Sequence, residues 1–257
     1  YSVVGDLTVN SGATLTIEEG VVLAFEAGVS LDVYGGLIIN GAEDNKVVLT
    51  SGESNPAPRD WYGIYIFSGT GDVVIDHAIV EYAVTGLTFD ESGSKGRVTN
   101  SAIRHNRYGI IVRGNQSDPA INPLPVVNSS SLYSNTDTNL SIGRYYLPGA
   151  VPADLDSVLL DMRNNWWGSN DASVIDETID DYDTKGKPHA DYRQYLDEEN
   201  GSPVLTGETL LGPVNDSLTP LMAGATYQVL GSLILEDGES WTIPEGVIFE
   251  FVGDDSV

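Results

Sequence analysis

Five aspartates between positions 171 and 183 (Asp171, Asp176, Asp180, Asp181 and Asp183) are the densest group of side chains that could do chemistry. Carboxylate oxygens are the hard ligands Ca²⁺ prefers, although their spacing is not that of an EF-hand loop. A hydrolase would need two or three carboxylates converging on one face at about 5 to 9.5 Å. Asp76 with Glu81, and the adjacent pair Asp180 and Asp181, are the candidates. The first pair has no acidic partner evident one repeat above, and the second falls where a charged helix face is expected. Trp61, Trp166 and Trp167 could present flat rings to a sugar, or could pack as staples at Trp-Gly corners. The only histidines, His77, His105 and His189, lack ligand spacing and read as solvated turn residues. Asn100, Asn106, Asn135 and Asn165 suggest a carbohydrate-binding row or, preferably, an internal ladder whose amides satisfy turn backbone.

Whatever positions these groups is not helical at the start of the chain. From Val3 to Ser51, apolar bursts of three to five residues alternate with turns bearing Gly5, Gly12, Gly20, Gly28, Gly35, Gly36 and Gly41. Bursts rich in Val, Ile, Leu and Thr are short, half-buried strands. The same organisation then becomes periodic. IDHAIVEYAVTGLTF places Ile79 against Ile103 and Tyr82 against Asn106 of the segment 96–114, and Gly86 against Gly109. NSSSLYSNTDTNLSI adds Leu132, Asn135 and Asn139, and a last unit puts Met162 and Asn165 in the places of Ile103 and Asn106. Repeats of this length indicate a solenoid in which inward side chains form columns, such as Ile79, Ile103 and Leu132. The loops at 52–60, 115–125 and 143–156 would leave it and carry function.

After Asn170 the period changes. Val174, Ile175 and Ile179, with Ser173 and Asp176 in capping-box spacing, predict a short amphipathic helix that covers the open end together with DYRQYL at 191–196. DEENGSP reads as a linker. TYQVLGSLILEDGESWTIPEGVIFEF then repeats the opening of the chain, with Tyr227 on Tyr1, Trp241 on Leu15 and Phe251 on Phe25. The expected organisation is a solenoid with its cap at 1–196, a linker at 197–206, and the beginning of a second solenoid at 207–257, the chain being a piece of a longer protein.

Composition bounds the partners. With 38 acidic and 12 basic residues among 257, the net charge of -26 repels nucleic acid and anionic membranes. No apolar run approaches the roughly 20 residues of a spanning helix. Cysteine is absent, which excludes disulfides, thiolate metal sites and cysteine nucleophiles.

The segments GATLTIEEGVVLAF (12–25), GLIINGAEDNKVVLTS (36–51) with RDWYGI (59–64), NSAIRHNRYGI (100–110) and NNWWGSNDASVIDETIDD (164–181) resemble the right-handed parallel β-helix superfamily, the pectate-lyase-like fold. They are most similar to secreted bacterial β-helix modules of multidomain surface proteins. The resemblance implies an all-β, right-handed parallel β-helix and an extracellular or cell-surface location in a prokaryote. It covers residues 1–196 and leaves activity open, because such folds host enzymes and passive stalks alike. A polysaccharide lyase of this fold would need an Arg or Lys base beside carboxylates that hold Ca²⁺, so that a uronate's C5 proton becomes acidic. Arg104 and Arg107 are the candidate bases, with Arg113 behind them, and none shows a carboxylate cluster at matching coil positions. The expectation is therefore a non-catalytic module of a tandem-repeat protein, a rigid spacer or an adhesive segment for polysaccharide or cell-surface glycan, flanked by like modules and needing no cofactor, with Ca²⁺ the one candidate. The alternative is a carbohydrate-active enzyme, a lyase before a hydrolase, acting on acidic polysaccharide.

Overall fold

The architecture was determined as a computed structural model. It describes residues 1–67, 71–90, 95–114, 123–143, 159–181, 187–192, 194–204, 209–217, 219–235 and 237–251. The chain is an all-β parallel solenoid, with one short helix among the described residues. Strands visit three parallel sheets in a fixed rotation. Val73–Asp76 lies in a five-stranded sheet, Ala78–Glu81 in a six-stranded sheet and Ala83–Phe89 in a seven-stranded sheet, and Gly96–Thr99, Ala102–Arg104 and Tyr108–Val112 repeat the circuit one coil on.

Because each strand pairs in parallel with its equivalent one coil away, alternation of side chains becomes columns. The six-stranded sheet contributes Leu23, Leu49, Val80, Ile103 and Leu132 to the interior, joined rung to rung by the pairing register. The seven-stranded sheet contributes Leu31, Ile64, Leu87, Ile110, Leu140 and Ile179. The five-stranded sheet contributes Ile17, Ile39, Ile75, Val98 and Val127. Each such burial is favourable by about 1.5 to 3 kcal/mol, so the rod is held by its columns.

The register corrects one expected column. Val80, not Ile79, sits beside Ile103, and Ile79 faces outward, half-buried. The run Ala78-Ile79-Val80 is apolar in either phase, and the neighbouring corner decides which phase is used. At that corner His77 has φ +49° and its equivalents Asn100 and Ser129 have φ +51° and +49°, so that one left-handed residue turns the chain from the five- to the six-stranded sheet, and Asn164, at φ +57°, makes the like corner after Leu159–Asp161. Tyr82, His105 and Ser134, at φ +65°, +55° and +55°, do the same between the six- and seven-stranded sheets. Asn165 follows left-handed Asn164 and so takes the place of Ser101 and Ser130, not that of Asn106. Trp166 bridges Ser131, the partner of Ala102, so that buried Trp167 follows Leu132 in the column position expected for Met162.

The helix Ala172–Asp176 is capped by Asp171, which accepts from the Ser173 N–H at 3.0 Å, rather than by Ser173 itself. Ile175 and Ile179 close the core with Trp167, Tyr192 and Tyr195, while Val174 faces solvent. Asp180 lies in the strand Ile179–Asp180, beyond the helix. Residues 197–203, read as a linker, form a closed loop. Leu196 bridges Pro203, Asp197 Oδ1 accepts from Ser202 N–H at 2.7 Å, and Val204 packs against the main core. Farther on, Thr209–Pro213, Thr226–Ile234 and Ile248–Phe251 make a separate three-stranded parallel sheet around Leu210, Tyr227 and Val229.

Candidate functional surface

The outer face of the six-stranded sheet brings Arg104 together with groups from four other segments. Arg104 Nε donates to Glu81 Oε2 at 3.1 Å and one of its terminal nitrogens donates to the Tyr133 hydroxyl at 3.0 Å. Thr50 donates to the other Glu81 oxygen at 3.2 Å, and Tyr133 donates to Glu199 at 3.3 Å. Glu81 pairs directly with Arg104 across the coils, so one carboxylate occupies the matching position, where no carboxylate cluster was expected. It is a single carboxylate with both oxygens engaged. Burial lowers the Arg104 pKa, but the Tyr133 hydroxyl and Glu81 outweigh that and raise it above the ordinary arginine value. A guanidinium held in this way keeps its proton, which a base must give up.

Arg107 and Arg113 are similarly engaged. Arg107 Nε donates to Asp137 at 2.8 Å, its guanidinium lies 4.6 Å above the Tyr108 ring, and Arg59 approaches the same Asp137 at 3.9 Å. Arg113 pairs with Asp90 at 3.4 Å and lies 5.9 Å over Tyr65. The loop at 52–60 is pinned by Asp60, which accepts from Ser51 Oγ at 2.7 Å and Ala57 N–H at 2.9 Å. Most of the loops at 115–125 and 143–156 lies outside the described residues.

Among the described residues the candidate carboxylates do not converge for hydrolysis either. Asp76 faces out from the five-stranded sheet, where Thr99 Oγ1, Asn100 Nδ2 and His77 Nδ1 lie within 2.9 Å of its oxygens. Burial raises its pKa, yet these hydrogen bonds prevail and hold the carboxyl below its ordinary value. Of the expected Ca²⁺ ligands, Asp171 caps the helix, and Asp176 accepts from the Tyr192 hydroxyl at 3.3 Å. Asp180 accepts from Ser141 and Lys187, and Asp181 from the Ala190 N–H at 2.8 Å. Asp183 lies outside the described residues, among which no three acidic or histidine side chains gather as a metal site. The acids are separated because each one closes a different turn or strand end.

Two of the three candidate tryptophans are withdrawn from the surface. Trp61 is fully buried, stacked on Phe25 at 4.1 Å, and its Nε1 donates to the Glu81 carbonyl at 2.9 Å. Trp167 is 2% exposed and packs edge-on to Tyr192 at 6.3 Å. Neither offers a ring face to a sugar, because each occupies an inward strand or corner position. Trp166 is half-buried.

The asparagines divide into two interior ladders and one surface residue. Asn106 Oδ1 accepts from Ala83 N–H at 2.8 Å, and its Nδ2 donates to the Val80 carbonyl at 3.1 Å. Asn135 repeats this one coil on, toward Asn106 N–H and the Ile103 carbonyl, both at 3.0 Å. At the other corner, Ser101 Oγ accepts from Ala78 N–H, Ser130 Oγ from Ser101 N–H, and Asn165 Oδ1 from Ser130 N–H, at 3.0, 3.2 and 2.9 Å. Asn100 is exposed and belongs to neither. His105 joins an aromatic file, stacked 5.8 Å from Tyr82 and edge-on 6.2 Å from Tyr133.

One surface feature escaped the sequence reading. Along the outer face of the seven-stranded sheet, Tyr34 stacks on Phe67 at 4.7 Å, Phe67 neighbours Tyr65 at 6.1 Å with nearly parallel planes, and Tyr62 is half exposed. The alternation in SLDVY and YGIYIF is its signal, since every second residue of a strand shares one face.

Residues 1–90 match the family model described as a pectate-lyase-like beta helix domain. No curated protein and no solved structure matches the chain.

Proposed function

We propose that this pectate-lyase-like β-helix is a non-catalytic extracellular module of a tandem-repeat surface or secreted protein, a rigid spacer with an adhesive face for glycans. One observation carries the reading: Arg104, the best-placed candidate base, is clamped between Glu81 and Tyr133 and kept protonated. Arg107 and Arg113 are engaged by Asp137 and Asp90. The adhesive part moves from the buried tryptophans to Tyr34 and Tyr62, 45% and 50% exposed on the aromatic face. A net charge of -26 disfavours polyuronates there and favours neutral sugars.

The test is incubation of the full chain with polyuronates and neutral polysaccharides, with and without Ca²⁺, followed for chain cleavage and for retention on immobilised glycan. The expected result is no cleavage, and retention on neutral glycan that Tyr34→Ala with Tyr62→Ala weakens. Cleavage that Arg104→Ala abolishes overturns the non-catalytic reading.

A further inference from the structure

The outer face of the seven-stranded sheet carries two adjacent rows of side chains. In one, the pairing register sets Asp32 beside Tyr65 and Tyr65 beside Thr88, one coil apart each time. In the other, Tyr34 stacks on Phe67, and Asp90 and Arg113 follow on the next two coils, where they pair at 3.4 Å. Arg113 also lies 5.9 Å over the Tyr65 ring. One flank of that ring therefore already holds a cation, neutralised by Asp90.

The other flank has a carboxylate and rings but no cation. Asp32 precedes Tyr65 in its row, and Tyr34, two residues on from Asp32, stands on the same side of the sheet and is 45% exposed. Asp32 is half-buried, and among the described residues its carboxylate takes no hydrogen bond and no ion pair. Burial raises the Tyr65 pKa, Arg113 opposes this, and Asp32 adds to it, so the field of the free carboxylate falls on the ring. A carboxylate beside apolar rings lacks the compensation that a cation would bring. A metal ion would require several hard ligands, and among the described residues no group of three acidic or histidine side chains includes Asp32. Ring faces attract a weakly hydrated organic cation instead.

We infer that Asp32, Tyr34 and Tyr65 form a subsite for an organic ammonium group carried by a ligand, the carboxylate meeting its charge and the rings its alkyl surface. The site shares the aromatic face with the glycan reading above and goes beyond it, because it selects for positive charge. The net charge of -26 draws such a ligand to the surface. Two sources supply this chemistry, a free quaternary ammonium such as choline and the protonated amine of an amino sugar.

The probe is tetramethylammonium, titrated into the full chain and followed by the ring resonances of the tyrosines. Constant ionic strength keeps diffuse attraction to the net charge equal throughout. Saturable shifts at Tyr34 and Tyr65 are expected, with affinity weakened roughly fivefold or more by Asp32→Asn and by Tyr34→Leu. Glu43→Gln, which removes the same charge at an exposed turn, should bind as the parent does. Competition by choline or by glucosamine supports the inference and names the source, and N-acetylglucosamine, with the same ring and no charge, should not compete. The inference is overturned by the absence of a saturable shift, by equal binding in Asp32→Asn and Glu43→Gln, by competition from neither cation, or by equal competition from N-acetylglucosamine. Retention on neutral glycan is a separate readout, so failure of this subsite and failure of the glycan reading are told apart.

Discussion

The side chain of Asn135 reaches across one coil to Asn106, accepting its main-chain N–H at 3.0 Å, as Asn106 in turn accepts that of Ala83 at 2.8 Å. Each left-handed corner leaves an N–H and a carbonyl pointing along the rod, where no strand partner reaches them. A carboxamide supplies one acceptor and two donors at the required spacing. Asn106→Ala should therefore cost about 2 to 4 kcal/mol in urea unfolding, since it orphans the Ala83 N–H and the Val80 carbonyl. Exposed Asn100→Ala should cost less than about 1 kcal/mol. Equal losses would mean that the interior ladder contributes nothing particular.

Gly63 provides a backbone test of the same coil contact. Its φ is +108°, and a Cβ there would lie 1.6 Å from the Thr85 carbonyl oxygen, beside the irregularity between Thr85 and Leu87. Gly63→Ala should destabilise by roughly 3 kcal/mol or more. Gly12, with φ +81° and open space around it, should lose only about 1 kcal/mol on the same change. Chemical denaturation of the two variants checks the difference.

Acid should act on the C-terminal cap first. His189 is buried at the cap, and burial lowers its pKa from 6.5 to about 4. A base with a depressed pKa is neutral in the fold, so its contribution is complete above pH 6.5 and declines as pH falls toward 4. The loss by pH 4 is roughly 3 kcal/mol. The carboxyls of Asp76 and Asp161 act in the same direction, in a lower pH range. Burial raises both, but hydrogen bonds, with Arg163 for Asp161, bring them below the ordinary value. Their stabilisation is present above the unfolded carboxyl pKa and is lost only as pH falls through the lowered folded value. Thermal melts from pH 7 to 3 should show two acid-sensitive ranges, and His189→Gln should flatten the one nearer neutrality.

Glu81 and Arg104 should behave as a structural pair. Their side chains are 13% and 29% exposed, and a double-mutant cycle with Glu81→Gln and Arg104→Ala should give a coupling of about 1 kcal/mol. Coupling near zero would leave Arg104 without the role assigned to it.

The coiled architecture was legible because a parallel solenoid repeats its inward positions, and Ile103, Leu132 and the glycine at each turn announce that repeat. Phase was less legible. Ala78-Ile79-Val80 is apolar throughout, so only the left-handed His77 shows which residue points in. The tryptophans left two readings open for a related reason. Indole suits both a sugar and a core, and nothing local distinguishes Trp61 against Phe25 from an exposed ring. The Arg104 and Glu81 contact was hidden by a register error of one residue, since the pairing depends on a separation set by the corners. The chemistry of corners was present in the sequence as Asn-Ser, Ser-Ser and Asn-Asn pairs at 100–101, 129–130 and 164–165. Each sets a left-handed residue before a small polar one that binds the preceding coil.

The central claim is that side chains at the corners hold one coil to the next and are not free to do chemistry. Native-state amide exchange tests it most directly, at Ala78, Ala83, Ser101, Asn106 and Ser130, whose N–H groups are accepted by side chains of the following coil. The account predicts protection comparable to that of the flanking strand amides. Exchange at these five positions as fast as in exposed loop residues such as Ser54 would contradict it.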